Sequence, residues 1–578
     1  MGGFLLAKRE PNVDIEETEK QLQGSLDVFK KKNLSLNERL VTPDYVVYMF
    51  NMFRSNRENT LSLDKDNFIC ATGSMFYKGK MGEDSLWELH NDFSTDNQGF
   101  LQHLLGTYGL IIYKNSRLYL LNCESGIYHV HCDSEKKVFS SSFLAVYKSL
   151  DQRTVNKNEL FEYLIDGTFY GDKTPIKELE LIDSTSIYQL SPVPDTIPKI
   201  LSYKTIDPGL SFDEMVAEVS YGLVDYFNMV KANFGDSICA GLTAGSDTRL
   251  MLALLRKVGV NPYLYVYDDM DSTNVKIAST VANGEGLDLH IDTRENYPKI
   301  DRDKFPEYLE KQLYLYDGLG NSGLFENDTD MKTRYERVKI SQLQLNGAGD
   351  LAMLYYSLPN KSYPLKSFLK SKHDVGYYEM CRGFNYGEYF ANLEQKVKRL
   401  LQTSQDRMDI KQSQIVLLLF RARYWTGINH MINLQLADAL MPFLEPVFIH
   451  LLLNVPYEFK YLGRFKAALI NHIDPSLAKY PSQYGFAFTD YDNIPLKVKA
   501  NTFLKYHMPI AFRPFIRAHL WKQQKKGIFP YYLSHEYLDM VFPPGESRIS
   551  EYVNLDKITN SKMLSRAYSV DLLLSNKY

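Results

Sequence analysis

The first stretch of this sequence whose residue types could do chemistry is the run Thr243-Ala-Gly-Ser-Asp-Thr248. It follows an apolar segment typical of a buried strand, 237–242, and precedes a helical pattern over 249–258. At the carboxyl end of a parallel strand, a turn of small residues lets backbone N–H groups approach an anion, and the next helix adds the positive end of its dipole. The run therefore predicts a phosphate-binding loop.

Each residue of this loop has an expected part in binding. Ala244 and Gly245 allow a phosphate group to approach closely, and Asp247 can hold Mg²⁺ against it. Hydroxyl groups that can donate to phosphate oxygens are carried by Thr243, Ser246 and Thr248. The alternative is a tight turn between strand and helix in which Asp247 or Thr248 only caps the helix.

The segments around the loop predict a parallel sheet. Ser211 and Glu214 have the spacing of a capping box, and apolar residues recur behind them at helical spacing. A second strand is predicted over 263–267, after the helix that follows the loop. Strand, loop, helix and strand make a βαβ unit of an α/β fold. Long helical patterns dominate beyond Tyr363.

The part of the chain before this unit has a different pattern. Short apolar segments alternate with turns over 68–142, and 108–113, 114–116 and 118–122 have the pattern of a hairpin. Repeated antiparallel strands without long helices between them predict an α+β or layered β unit. Three prolines in 192–198 predict a linker between two domains, because proline interrupts a central strand or a helix.

Composition excludes several classes of protein. Lys and Arg number 66 and Asp and Glu 70, so the net charge of −4 gives no reason to expect binding of nucleic acid. Aromatic residues make up 13%, which excludes a disordered chain. Five scattered cysteines without a CxxC pair favour neither a disulfide framework nor a zinc site. With no apolar stretch long enough for a transmembrane segment or a signal peptide, we expect a cytoplasmic protein.

Several motifs together resemble those of one family. The loop 243–248 is similar to the pyrophosphate-binding loop of the N-type ATP pyrophosphatases, and its surroundings resemble one branch of them, the asparagine synthase family. Segments that resemble the family's motifs follow each other in the family's order: 106–113, 166–174, 271–282, 286–290, 346–350, 441–445, 463–466 and 480–486. The resemblance spans most of the chain.

The resemblance implies two domains. Residues 1–195 would form an α+β domain of the Ntn-hydrolase type, which is the glutaminase-like domain of the family. Residues 205–578 would form an α/β synthetase domain with a parallel sheet of the adenine nucleotide α-hydrolase type and a helical C-terminal part.

The activity that the resemblance implies is amide-bond synthesis with ATP and Mg²⁺. ATP would adenylate a carboxylate and release pyrophosphate, and an amine or ammonia would then displace AMP. Asp247 and Asp350 would hold the metal, and Gly347 and Gly349 would bind the nucleotide together with the loop 243–248.

A catalytic lysine is also expected from the resemblance. The family usually has one just before a Gly-Phe turn, but here that stretch reads Pro481-Ser-Gln-Tyr-Gly485. Lys466 and Lys479 are therefore the two candidates.

The start of the chain departs from the family in a way that matters for function. Family glutaminases begin Met-Cys-Gly, with the cysteine as nucleophile, whereas this chain begins Met1-Gly2-Gly3. We therefore expect no glutaminase activity, as in family members such as β-lactam synthetases, lasso-peptide cyclases and enzymes that amidate polysaccharides. The substrate would be a small-molecule, peptide or sugar carboxylate. A partner that supplies ammonia or an amine, and a homodimer, are left open.

Two other functions remain open from the sequence. One is a pseudoenzyme or scaffold of the same fold that binds ATP without turning it over. The other is a peripheral membrane protein, because the stretch 512–526 is rich in Arg, Lys and aromatic residues that could lie on anionic lipid.

Overall fold

The computed structural model describes residues 2–10, 13–54, 57–293, 298–325, 329–349, 362–373, 378–489, 494–514, 529–543, 545–575 and 577. Two expected features lie outside these ranges. They are Asp350, the second expected metal ligand, and most of the basic aromatic stretch 512–526.

Two antiparallel sheets of six strands each occupy the first part of the chain. The strands are β1 (Gly3–Lys8), β2 (Leu36–Val41), β3 (Tyr45–Phe50), β4 (Thr60–Asp64), β5 (Asn67–Tyr77), β6 (Leu104–Lys114), β7 (Arg117–Asn122), β8 (His131–Asp133), β9 (Val138–Ser140), β10 (Leu179–Leu181), β11 (Ser186–Ser191) and β12 (Asp195–Pro198). The first sheet has the order β10-β8-β9-β1-β3-β2 and the second β12-β11-β7-β6-β5-β4. The helices of this part are α1 (Ile15–Lys31), α2 (Glu83–Asp92), α3 (Phe143–Ser149) and α4 (Lys157–Asp166).

The first sheet is apolar on both faces because it is covered on both. In β1, Phe4 and Leu6 pack against the second sheet, while Leu5 faces the helices α1 and α3. The ring of Phe29 on α1 stacks on Phe50 at 3.9 Å between centroids. This layering confirms the expected α+β unit of antiparallel strands.

The predicted hairpin is confirmed and the predicted linker is wrong in part. β6 and β7 are joined by a two-residue turn in which Asn115 and Ser116 both have positive φ, as the right-handed twist of a hairpin favours. Residues 195–198 of the proline-rich segment, by contrast, form β12 and pair with β11. β12 is the edge strand of its sheet, where a proline removes no needed hydrogen bond.

A parallel five-stranded sheet forms the second part. Its strands are β13 (Ile238–Gly241), β14 (Tyr263–Tyr267), β15 (Leu289–Asp292), β16 (Leu343–Leu345) and β19 (Asp438–Leu440). The helix α5 (Phe212–Phe234) precedes β13, and the helices between the strands include α6 (Ser246–Lys257), α7 (Thr273–Glu285), α8 (Phe305–Leu315) and α9 (Thr329–Ile340). The order β15-β14-β13-β16-β19 places the switch point between β13 and β16. The capping box at Ser211 and the βαβ unit are confirmed.

The remaining elements form the helical C-terminal part. They are the short strands β17 (Tyr363–Pro364) and β18 (Arg407–Met408), the helices α10 (Leu365–His373), α11 (Tyr386–Leu400) and α12 (Ile410–Val416), a π-helix (Leu417–Thr426), and α13 (Gly427–Leu436), α14 (Pro446–Leu453), α15 (Tyr457–Lys460), α16 (Arg464–Ile473), α17 (Pro475–Ala478), α18 (Leu496–His507), α19 (His535–Leu538) and α20 (Ser561–Ser575). No helix within the described ranges is long and apolar enough to cross a membrane. The five cysteines are free thiols and all are buried.

The two faces of the parallel sheet differ in polarity. Leu264 and Val266 of β14 and Leu343 and Leu345 of β16 point to one face and join the core with α5 and α6. The alternate residues, Tyr263, Tyr265, Tyr267 and Gln344, point to the other face because successive side chains of a strand alternate. Parallel strands are usually apolar on both faces. The polar face therefore needs a covering of another kind.

Buried polar contacts join the antiparallel part to the parallel sheet. The carboxylate of Glu445 accepts hydrogen bonds from the backbone N–H of Gly106 at 3.0 Å and from the hydroxyl of Tyr226 at 2.9 Å. Ser74 on β5 donates to Asp438 on β19 at 2.7 Å. Burial raises the pKa of Glu445 to about 7, although both hydrogen bonds oppose the shift.

Replacing Glu445 with Gln should flatten the dependence of stability on pH. The pKa of Glu445 is higher in the folded chain than in the unfolded one, so the carboxyl contributes stability that is present at low pH and lost as pH rises from about 4.5 to about 7. The loss is roughly 3 kcal/mol over that window. Denaturant unfolding of both proteins at several pH values measures it. If the free energy of unfolding changes with pH in the same way in both proteins, the raised pKa of Glu445 is contradicted.

Candidate functional site

The loop 243–248 lies at the carboxyl end of β13 and leads directly into α6, which begins at Ser246 with Gly245 as its N-cap. The backbone N–H of Thr243 donates to Oγ1 of Thr248 at 3.0 Å, and the two threonine hydroxyls lie 3.1 Å apart. The N–H of Gly245 donates to Oγ1 of Thr243 at 3.2 Å. The sequence predicts that these two hydroxyls face a phosphate. In this structure they instead bind each other and backbone N–H groups of the same loop.

Neighbouring segments hold the loop from both sides. The N–H of Ala244 donates to the side chain of Asn274 on α7 at 3.3 Å, and its carbonyl accepts from the N–H of Gln483 at 3.1 Å. The hydroxyls of Ser246 and Tyr484 are 3.3 Å apart. Arg249, fully buried in α6, donates to the carbonyls of residues 480 and 481 at 2.9 and 2.8 Å. The stretch 480–484 therefore packs along α6 up to the loop.

The loops after β13 and β16 approach each other across the switch point. A Cβ added at Gly347 would lie 3.5 Å from the carbonyl carbon of Asp247, so the two loops lie next to each other with room for about one methyl group between them. At Gly245 a Cβ would come within 2.5 Å of Oδ1 of Asp247, and the absence of a side chain there leaves room for the carboxylate. Gly349 has a φ of 103° and packs against Leu444. Ligands of open α/β sheets bind at this position.

The two candidate lysines lie at opposite ends of α6. Lys466 on α16 is 1% exposed, and burial lowers its pKa to about 8 while the nearby charge of Asp247 opposes the shift. Lys479 instead pairs with Glu285 at 3.2 Å, and Glu285 also binds Arg256 in the last turn of α6. At about 1.5 Å of rise per residue, this cluster is roughly 14 Å along the helix from Asp247. The structure thus brings Lys466, and not Lys479, to the loop.

A cavity of about 510 Å³ opens beside these loops on the polar face of the parallel sheet. Its walls come from the loops, from β14 and β16, and from α9, the π-helix and α13, and they include Asp247, Asn346, Ala348, Gly349, Tyr265, Tyr267, Arg334, Arg337, Gln344, Arg421, Trp425, Asn429 and Asn433. The size is in the range of sites for small molecules. α9 and the π-helix are the covering that the polar face requires.

Two donors in this cavity have no acceptor among the described residues. Nε of Arg337 and Nε2 of Gln344 are buried without a hydrogen-bond partner among the described residues. The two residues are 7% and 6% exposed. Arg337 lies over the ring of Tyr265 at 4.3 Å and is 3.9 Å from Asp292. Arg334 is already held by Asp330 at 2.9 Å. Buried donors left without acceptors are costly, and this is typical of a site that a ligand completes.

Sequence reasoning missed Arg337 and Gln344. Two signals were available: tyrosines at every second position of the β14 segment, and a glutamine between two buried leucines in β16. Both indicate a parallel strand with one polar face. Neither signal alone places an arginine of α9 over that face.

Gly2 leaves no room for a nucleophile in this backbone. Its N–H donates to the carbonyl of Phe50 at 2.9 Å, next to the start of β1. A Cβ at Gly2 would lie 2.8 Å from the carbonyl oxygen of Asn51 and 3.1 Å from Cα of Met52. Both are backbone atoms and cannot rotate away, so a side chain at this position would displace the chain.

Comparison with known proteins leaves the family open. No protein-family model and no curated protein matches the sequence. Among solved structures, "Structure of the allosteric regulatory enzyme of purine biosynthesis" is similar at 8% identity, over 50% of this chain and 64% of that chain, with a TM-score of 0.24. Glutamine phosphoribosylpyrophosphate amidotransferase from B. subtilis, complexed with ADP and GMP, is similar at 9% identity, over 50% and 65%, with a TM-score of 0.22.

Each match thus covers less than two thirds of the other chain, and at these TM-scores the likeness supports no conclusion about fold or function. Membership of the asparagine synthase family stays a prediction from the sequence motifs.

Replacing Gly2 with Ala should destabilise the fold by about 1–3 kcal/mol, because the added methyl group overlaps backbone atoms. Gly24→Ala is the control, since a Cβ at this exposed position of α1 meets no atom closer than 3.6 Å. Chemical denaturation compares the two variants with the wild type. Gly24→Ala itself should be as stable as the wild type or more stable by about 1 kcal/mol, because alanine favours a helix interior over glycine. A Gly2→Ala variant as stable as the wild type would show that position 2 accepts a side chain.

Proposed function

We propose that the chain is a ligase that uses ATP to form an amide bond and releases AMP and pyrophosphate. One observation carries the proposal: at the switch point of the parallel sheet, Asp247 lies next to the loop of Gly347, and its charge acts on the buried Lys466. A carboxylate, a cation and the start of a helix at one point suit a site for a nucleotide with its metal.

The phosphates of ATP would bind at the start of α6. The first turn of a helix has backbone N–H groups without acceptors inside the helix, and these donate well to phosphate oxygens. The oxygen donors of Asp247 fit Mg²⁺, which prefers carboxylates and phosphates as ligands. Mg²⁺ bound there would neutralise charge on the phosphates. Gly245 supports this role because it leaves the carboxylate of Asp247 free to face the cavity.

In the first step an oxygen of the substrate carboxylate attacks the α-phosphorus of ATP. The bond between this phosphorus and the oxygen that bridges to the β-phosphate breaks, so acyl-AMP forms and pyrophosphate leaves. Negative charge accumulates around the α-phosphorus, and Lys466, whose charge interacts with that of Asp247, is the cation that we assign to stabilise it. Its pKa of about 8 keeps Lys466 mostly protonated at neutral pH.

In the second step an amine or ammonia attacks the acyl carbon. The bond to AMP breaks, AMP leaves and the amine gives up a proton. Glycine and not cysteine stands at position 2, so in this proposal the amine or ammonia does not come from glutamine by that mechanism, and the substrate or a partner supplies it. The antiparallel part then serves as a support for the synthetase part.

The acid is positioned, in this proposal, by Arg337, next to Gln344. The guanidinium of Arg337 has N–H groups besides the buried Nε, and these can donate to an oxygen-rich acyl substrate in the cavity. A charge-assisted hydrogen bond from Arg337 to a carboxylate is roughly twice as strong as one between neutral groups. Both residues lie on the wall of the cavity that also contains Asp247.

A second candidate is a scaffold that binds ATP without turning it over. The observation that favours it is the closed loop, in which the hydroxyls of Thr243 and Thr248 bind inside the loop. The backbone N–H of Thr243 and the hydroxyl that donates in the Thr243–Thr248 pair have to change partner before they can bind a phosphate. The nucleotide product separates the two candidates.

The test is the nucleotide product with candidate acids and amines. Wild-type protein should release AMP and pyrophosphate in equal amounts. Asp247→Asn should slow the release at least about 100-fold, because the Mg²⁺ that would neutralise the phosphates loses its carboxylate ligand. Asp225→Asn, at an exposed position of α5, is the matched control and should be fully active. ATP binding without release of pyrophosphate would favour the scaffold, and release of ADP would rule out the mechanism.

Arg337→Met should raise the KM for the acid about tenfold or more and leave ATP binding unchanged, because the variant loses one charge-assisted hydrogen bond. Lys339→Met is the control on the exposed side of the same helix. Steady-state kinetics with the acid varied and titration of ATP measure the two effects. An unchanged KM, or an equal loss of ATP binding, would contradict the assigned role.

A further inference from the structure

The helix α18 exposes large apolar side chains that no part of the described chain covers. Leu496 is 83% exposed, Phe503 55% and Leu504 62%. Val498 and Thr502 are the half-buried residues of the helix whose side chains are described, and they share the side that faces the protein. An apolar residue exposed singly needs no explanation, but three on one short helix indicate an interaction surface.

The apolar residues of α18 form one stripe with lysines at its edges. At about 100° of rotation per residue, Leu496, Ala500, Phe503 and Leu504 fall within one third of the helix circumference. Lys497 and Lys499 lie just outside this stripe, on opposite sides of it, and both are exposed. The ring of Phe503 lies 4.1 Å from that of His507, between centroids.

The sequence that contains this helix carries charge of one sign. The sequence contains no Asp or Glu from Asn493 to His535, although the chain as a whole has a net charge of −4. Its Lys and Arg residues in this interval are Lys497, Lys499, Lys505, Arg513, Arg517, Lys522, Lys525 and Lys526. A local excess of positive charge on a nearly neutral chain complements a surface that is uniformly negative.

We propose that α18 docks on an anionic lipid surface. The helix lies in the plane of the interface, with Leu496, Phe503 and Leu504 at the boundary of the acyl chains and Lys497 and Lys499 at the level of the headgroup phosphates. Nucleic acid would match the charge but offers no apolar layer for the leucines. This activity is separate from the ligase reaction, because none of these residues lines the cavity beside Asp247.

The test is co-sedimentation of the full chain with vesicles of phosphatidylcholine alone or mixed with phosphatidylglycerol. The protein should sediment with the mixed vesicles, and added salt should release it. Phe503→Glu combined with Leu504→Glu should lower the partition coefficient at least about tenfold. Lys497→Gln should lower it about fivefold on the anionic vesicles.

Tyr221→Glu is the matched control, because Tyr221 is 77% exposed on α5 and distant in sequence from α18. It should sediment like the wild type, and equal melting temperatures would show that all variants are folded. Four results would each overturn the proposal. They are binding to neutral vesicles as strong as to anionic ones, binding of the α18 variants as strong as that of the wild type, no sedimentation with any vesicle, and binding of RNA that the α18 variants lose.

Discussion

Tyr263, Tyr265, Tyr267 and Gln344 leave one face of the parallel sheet without an apolar surface to bury, and the architecture around the sheet follows from that constraint. Helices with apolar faces cover the opposite side and form the core there. The polar side is covered by α9, the π-helix and α13, which bring arginines, a tryptophan and asparagines to a cavity of about 510 Å³. A polar face closed in this way costs stability unless a ligand completes its hydrogen bonds.

The antiparallel part keeps that covering in place. Arg54 donates to the carbonyl of Val338 near the end of α9 at 2.6 Å, and Arg423 of the π-helix donates to the carbonyl of Ser125 at 2.9 Å. Arg421, two residues earlier, lines the cavity. The π-helix thus connects the two parts through neighbouring side chains, and π-helical segments are common at functional sites. These contacts connect the antiparallel part, in which Gly2 has no room for a side chain, to the walls of the cavity.

Local patterns predicted the local structure well. The hairpin at Asn115 and Ser116, the capping box at Ser211 and the loop before α6 depend on a few neighbouring residues, and all three are present. The proline-rich segment predicts a linker, because the sequence alone does not show that β12 is an edge strand. Lys479 is a candidate through the family resemblance, but Glu285 holds it at the far end of α6. Arg337 and Gln344 acquire their significance only when α9 lies over the sheet, which no local pattern encodes.

The most direct test of this account is a crystal structure of the full chain with Mg²⁺ and an ATP analogue that has a methylene group between the α- and β-phosphates. We expect the phosphates at the first turn of α6, the metal on Asp247, and the base inside the cavity between the parallel sheet and α9. The hydroxyls of Thr243 and Thr248 should then turn from each other toward the phosphates. An analogue bound elsewhere, or an unchanged cavity at saturating analogue, would contradict the account.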